Sequence, residues 1–95
     1  MKTPKVIAAV AWYRAEDWPR WKSISEDGMD DTYEEWLKEV RQAVLNMSLE
    51  GMEVHRVIVD PDAFLEWARS KRKPITSSAR SEYAVMTFQT EQPQS

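Results

Sequence analysis

A strand that turns directly into a helix, over residues 54–67, constrains the fold more than any other stretch of this sequence. Residues 57–59 are Val-Ile-Val, a β-branched run that suits a pleated, half-buried surface. Asp60 then supplies the short oxygen acceptor of an N-cap, and Pro61 follows at the first helical position, where a missing N–H costs nothing. The stretch therefore predicts a buried strand over residues 53–59 that is followed at once by a helix.

This helix has an apolar face and a basic end. Phe64, Leu65 and Trp67 supply the apolar face, and the Lys-Arg-Lys run at 71–73 suits the negative end of the helix dipole. Pro74 cannot continue the helix. We therefore predict that the helix begins at Pro61 and ends near residue 72.

The N-terminal strand is predicted over residues 5–13, which are apolar at nearly every position after Lys5. A run that does not alternate is typical of a strand covered on both faces, as in a parallel sheet. Residues 14–31 form an irregular connection, in which Pro19 favours a short helical turn and Asp27-Gly28 marks a turn.

The next helix carries signals at both ends. Thr32 and Glu35 have the spacing of a capping box, and Gly51 stands where a left-handed C′ residue belongs. Apolar residues recur between them at helical spacing: Trp36, Val40, Ala43, Val44 and Met47. The pattern predicts a helix over residues 32–50.

The last segment, residues 79–88, leaves two alternatives open. Ala79, Tyr83 and Met86 fall on one helical face, yet residues 83–88 also resemble a strand. We favour the helix, and we predict a disordered tail over residues 89–95.

Together these elements predict one α/β domain over residues 1–95, ordered strand, helix, strand, helix, helix, with a two-stranded parallel sheet. Two strands make a poor sheet, and neither predicted strand contains a proline to protect its outer edge. The last segment could add a strand, or the terminal helices could cover the edge. The alternative that we favour is a second copy, which predicts a homodimer with a sheet extended by the partner chain.

Composition excludes several classes of function. The chain has no cysteine, which removes disulfide and thiolate chemistry and fits a cytoplasmic location, and its apolar runs are too short to span a membrane. A net charge of −3 argues against a general nucleic-acid binder. His55, the single histidine, makes no zinc site, and the acidic residues 30–35 lack the spacing of a calcium loop. We predict no cofactor, no metal and no catalytic residue.

Four charged residues are candidates for binding a small ligand: Arg14, Asp17, Arg20 and Asp60. If the strands are parallel, these residues lie near the carboxyl ends of the strands, where open α/β sheets bind ligands. A cap role for Asp60 and solvated loop charges explain the same residues without a ligand.

A second group of residues is a candidate for partner contact: Trp18, Trp21, Arg69, Arg72 and Arg80. The tryptophans lie beside Arg20 in the long connection, and we favour core or lid packing for them over partner contact. The arginines belong to a segment, residues 69–80, with five basic residues and no acidic one. The five tryptophans, the two-stranded sheet and the absence of a catalytic motif lead us to predict a non-enzymatic protein-association domain that associates with itself. The alternatives are a ligand site or weak enzyme at the strand ends, and a regulatory nucleic-acid contact through residues 69–80.

The sequence resembles a group of small bacterial proteins of unknown function. The likeness rests on Val-Asp-Pro-Asp-x-Phe-Leu-x-Trp at 59–67, on Asp-Trp-Pro-Arg-Trp at 17–21 and on the Ala-Arg pair at 79–80. It implies a bacterial cytoplasmic protein with a terminal helix, and it implies no activity.

Overall fold

The computed structural model describes residues 6–91, and the side chains of residues 6–90. Its elements are β1 (Ile7–Trp12), one 3₁₀ turn (Ala15–Asp17), α1 (Trp18–Ile24), α2 (Tyr33–Leu49), β2 (Glu53–Ile58), α3 (Pro61–Ser70) and α4 (Ser77–Glu91). The sheet has two strands in parallel, with Ile7 opposite Glu53 and Trp12 opposite Ile58. The predicted α/β class and the two-stranded parallel sheet are therefore confirmed.

The helix ends follow the local signals. Asp60 Oδ2 accepts a hydrogen bond of 2.9 Å from the amide of Ala63, so Asp60 is the N-cap of α3. Thr32 caps α2 in the same way, because its Oγ1 accepts from the amide of Glu35 at 3.1 Å. Gly51 follows α2 with φ of 89°, the left-handed conformation expected at C′.

α3 ends in the same motif without a glycine. The amide of Lys73 donates to the carbonyl of Ala68 at 2.9 Å, which is the 6→1 bond of a Schellman motif, and Arg72 adopts φ of 55° at C′. The helix is therefore two residues shorter than predicted, because Arg72 leaves the helical conformation to close it.

The last segment is a helix, α4, as favoured, and not a strand. It begins at Ser77 and continues to Glu91, so the predicted tail does not begin at residue 89. Residues 92–95, and residues 1–5 at the other terminus, lie outside the described part of the chain.

The two faces of the sheet are covered unequally. Side chains alternate along a strand, so the register places Ala9, Ala11, Tyr13, His55, Val57 and Val59 on one face, which we name the core face. α4 packs on this face, and the core formed with α1 and α3 buries Trp21, Val59 and Phe64 almost completely.

The opposite face, which we name the α2 face, carries Ala8, Val10, Trp12, Val54, Arg56 and Ile58. α2 crosses it, and Trp36 meets the ring of Trp12 edge-on at 5.3 Å between centroids. No residue of α2 is fully buried, and Ile58 remains 61% exposed. The α2 face is therefore only partly covered within the described chain.

Candidate functional site

The structure brings together three of the four predicted ligand residues. Arg14 Nε donates to Asp17 Oδ2 at 2.9 Å, and an Arg14 terminal nitrogen lies 4.0 Å from Asp60 Oδ1. The hydrogen bond to Asp17, followed by the attraction of that carboxylate, raises the pKa of the Arg14 guanidinium. Asp60 is also committed to its cap. Arg14 is therefore engaged mainly by Asp17, and the three side chains lie together near the carboxyl ends of the strands.

Arg20, the fourth residue, lies apart from this cluster. Its guanidinium contacts Asp62 Oδ1 at 3.1 Å, and the pair borders a shallow depression together with Arg69. Both side chains of the ion pair are half-exposed or more, so water screens the interaction and we expect it to contribute little to stability.

Trp18 and Trp21, predicted as partner contacts, lie in the core with 5% and 0% of their surface exposed. Trp21 packs on Tyr13 and on Phe64, at centroid distances of 4.9 Å and 5.3 Å. The structure therefore confirms core packing and rules both tryptophans out as surface contacts, because the helix that begins at Trp18 turns both rings inward. Arg69 and Arg72 are exposed, as a partner contact requires.

Arg80, also predicted as a partner contact, is 5% exposed and lies at the centre of a polar network. Its Nε donates to the hydroxyl of Tyr13 at 2.8 Å, and its terminal nitrogens contact Ser25 Oγ at 3.0 Å and the Asp27 carboxylate at 3.2 Å and 3.3 Å. Asp27 Oδ2 also accepts from the amide of Ser77 at the start of α4. The network fastens the long connection to α4.

The charges of this network are balanced within it. Burial works to raise the pKa of Asp27, but hydrogen bonds from the Ser77 amide and from Arg80 outweigh it, and the pKa is lowered. Burial raises the pKa of the Tyr13 hydroxyl, against the opposing effect of Arg80. A cavity of about 200 Å³ adjoins the network, yet Arg80 already makes four hydrogen bonds within the protein. We therefore interpret the network as a structural tie.

The outer edge of β1 forms the floor of a groove, which we name the β1 groove. It has a volume of about 430 Å³, and α2 and α4 form its two walls. The walls carry Trp36, Val40 and Met47 from α2, and Ser77, Ser81 and Val85 from α4. The floor consists of Ile7, Ala8, Ala9, Val10, Ala11 and Tyr13, so none of the described residues that line the groove is charged.

Two of the groove residues are large apolar side chains open to solvent. Ile7 is 54% exposed on the strand, and Val85 is 41% exposed on α4. The floor also presents backbone N–H and C=O groups, because β2 occupies the other edge of β1 and the described sheet has no further strand. The groove therefore combines apolar side chains with backbone groups that no strand within residues 6–91 pairs.

His55 has a local explanation. Its Nε2 lies 2.6 Å from Glu53 Oε2, and its ring stacks on Phe88 of α4 at 4.6 Å between centroids. Across residues 6–91, no group of three or more His, Cys, Asp or Glu side chains is placed to hold a metal ion. Within the same residues, no helix is long and apolar enough to cross a membrane.

Sequence reasoning did not find the β1 groove as a site or Tyr13 and Asp27 as partners of Arg80. The alanine-rich strand and the spacing of Ser77, Ser81 and Val85 were available as signals, since residues four apart share one side of a helix. Comparison with known proteins adds no relative, because no family, curated protein or solved structure matches the chain.

Proposed function

We propose that this protein is a non-enzymatic association domain and that it associates with a second copy of itself through the β1 groove. The observation that carries the proposal is the free edge of β1, where unpaired backbone groups lie between apolar side chains on two helices. Such an edge is a ready template for pairing with another chain.

The character of the groove supports a second copy as the occupant. The chain has a net charge of −3, so two copies repel each other weakly in most relative orientations. In the groove, however, no charged side chain from residues 6–90 opposes close approach. A face that is apolar and uncharged can also serve as its own partner, which a twofold-symmetric interface requires.

The alternative functions have less support from the geometry. Arg14 donates to Asp17 and lies 4.0 Å from Asp60, so its guanidinium is already engaged within the cluster. In the basic segment, Arg80 is buried against Asp27, and Lys73 Nζ lies 2.9 Å from Glu82 Oε2. These pairings leave the segment with a weaker positive field than its sequence predicts for a nucleic-acid contact.

Two neighbouring residues of α4 provide a matched test. Val85 and Met86 are 41% and 36% exposed, but only Val85 lines the β1 groove. We expect sedimentation equilibrium of the wild-type chain to show a mass that rises from 11.1 kDa to twice that value at micromolar concentrations. Val85→Glu should keep the chain monomeric, because dimer formation would bury the new charge, and Met86→Glu should not.

Circular dichroism of both variants would establish that each remains folded. A wild-type mass of 11.1 kDa at every concentration up to hundreds of micromolar would overturn self-association. A dimer that Met86→Glu disrupts and Val85→Glu does not would place the interface outside the β1 groove.

A further inference from the structure

The backbone of β1 divides into groups that face β2 and groups that face the groove. The carbonyl of Val6 accepts from the amide of Glu53 at 2.9 Å, and that of Trp12 accepts from the amide of Val59 at 3.1 Å. Backbone groups alternate in direction along a strand, so the even-numbered residues of β1 bond to β2. Ile7, Ala9 and Ala11 therefore direct their N–H and C=O groups towards the groove.

Tyr13 supports this assignment and limits the free edge. Like Ile7, Ala9 and Ala11 it is odd-numbered, so its backbone groups point away from β2. Its carbonyl accepts a hydrogen bond of 3.0 Å from the hydroxyl of Tyr33. That bond occupies the edge just beyond the end of β1. The part of the edge that remains open is therefore centred on Ala9.

We infer that two copies pair through β1 in antiparallel register about a twofold axis at Ala9, forming one four-stranded sheet of order β2-β1-β1′-β2′. The inference rests on the proposed self-association and specifies its geometry. Ile7 stands opposite Ala11 of the second copy, and Ala9 stands opposite its own equivalent. Opposing residues whose backbone groups face each other exchange both N–H···O bonds, so every open group from Ile7 to Ala11 finds a partner.

A parallel pairing of the two β1 edges does not satisfy a twofold axis. An axis along the strands would place each residue opposite its own equivalent, with Ile7 facing Ile7. In a parallel ladder, however, the bonds of one residue go to the neighbours on either side of the residue opposite it. The outward-facing backbone groups of Ile7 would then meet residues 6 and 8 of the second copy, whose own groups point towards β2. A closed symmetric pair must therefore be antiparallel.

The walls of the groove fit the same symmetry. A twofold axis perpendicular to the sheet keeps the two core faces on one side, so α4 meets α4 of the second copy there and α2 meets α2 on the other side. On α4 the groove residues are Ser77, Ser81 and Val85, whose small side chains permit close approach of two helices. On α2 they are Trp36, Val40 and Met47, which would gain cover on the open α2 face.

The absence of cysteine from the sequence makes cross-linking a clean test. Ala9→Cys introduces a single thiol at the inferred axis, where antiparallel residues of this type have Cα atoms about 5.5 Å apart, within reach of a disulfide. We expect mild oxidation to convert Ala9→Cys to a covalent dimer. Ala63→Cys, an exposed alanine on α3, is the matched control and should remain mostly uncross-linked.

Amide hydrogen exchange of the unmodified chain provides a second measurement that needs no variant. The amides of Ile7, Ala9 and Ala11 should exchange about tenfold or more slowly at concentrations where the dimer forms than at dilution. Ala8 and Val10 are even-numbered, so their amides already bond to β2 in the monomer. Their exchange rates serve as the internal reference.

The outcomes separate this inference from the proposal on which it rests. A dimer whose Ile7, Ala9 and Ala11 amides exchange as fast as in the monomer, and in which Ala9→Cys does not cross-link, would overturn the β1 pairing and leave self-association standing. A chain that stays monomeric at all concentrations would overturn both. Slowed exchange together with selective cross-linking at residue 9 would support both.

Discussion

The core face and the α2 face belong to the same two strands, but they are buried to different extents. On the core face, Val57 and Val59 are 6% and 1% exposed, and aromatic side chains from all four helices pack in or against the core. On the α2 face, Ile58 is 61% exposed and α2 buries none of its residues fully. The uninterrupted apolar sequence of a strand therefore indicates that both faces of the strand must be covered. It does not show that the covering residues belong to the same chain.

The difference lies in how many helices reach each face. α1, α3 and α4 all contribute to the core, and Phe64 alone meets Trp21, Trp67 and Tyr83 at ring distances of 5.3 Å to 6.1 Å. The α2 face has one amphipathic helix. We expect the free energy of unfolding to depend mainly on the core face, and the capacity for association to depend on the side that α2 leaves open.

The largest expected effect comes from Phe64→Ala on α3. Phe64 is fully buried, so the variant loses the burial of the ring and leaves a cavity, which costs about 3–5 kcal/mol. Leu49→Ala on α2 should change the free energy of unfolding by less than about 0.5 kcal/mol, because Leu49 is 77% exposed. Urea denaturation at low protein concentration measures both. Equal costs for the two variants would contradict the contrast between the faces.

Arg80→Ala should have the next largest effect. It leaves the Asp27 carboxylate and the Tyr13 hydroxyl without their partner, and removing one member of a buried ion pair costs about 3–5 kcal/mol. Because the Asp27 side chain is 33% exposed, water partly replaces the lost partner, and we expect a smaller cost of about 2–4 kcal/mol. Arg69→Ala, an exposed arginine on α3, is the control and should be nearly neutral. A cost as small as that of the control would mean that the network is not a tie.

What the sequence could predict was set by short-range physics. The N-caps at Thr32 and Asp60 and the C′ glycine at Gly51 each act on backbone groups within a few residues, so the residue types reveal the helix ends directly. The parallel pairing followed as well, because a strand-helix-strand unit of this length permits little else.

The features that sequence reasoning missed depend on distant partners. Arg80 lies 67 positions from Tyr13 and 53 from Asp27. Its basic neighbours in the sequence therefore suggested an exposed partner contact, whereas the side chain is buried. The β1 groove likewise exists only because α2 and α4 flank the same strand edge. At Arg72 no residue type signals the turn, since the left-handed conformation there is imposed on an arginine.

A smaller effect compares the N-caps of the helices on the two faces. Asp60→Ala and Thr32→Ala each remove a side-chain acceptor from a helix amide, at a cost of about 0.5–2 kcal/mol. We expect Asp60→Ala to cost more, because α3 carries buried Phe64 and cannot fray without opening the core. Equilibrium denaturation of the two variants tests the order. A larger cost for Thr32→Ala would show that α2 is coupled to the core more strongly than its exposure indicates.

The smallest expected effects come from substitutions at the C-terminal ends of α2 and α3. Both helices close with a left-handed C′ residue, Gly51 after α2 and Arg72 after α3. Among the described residues, a Cβ added at Gly51 meets no atom within 4 Å, so Gly51→Ala should cost about 1 kcal/mol through backbone conformation alone.

Arg72→Gly makes the reverse change, because it relieves the left-handed strain at the end of α3. The gain is partly offset by the greater conformational freedom of glycine in the unfolded chain, so we expect a net stabilisation of only about 0.5 kcal/mol. Thermal unfolding of the wild-type chain and both variants at one low concentration, where dimer formation does not contribute, measures the pair. If Arg72→Gly destabilises the chain, then the arginine side chain stabilises this turn by more than its left-handed backbone conformation costs. The ends of α2 and α3 would then not be equivalent.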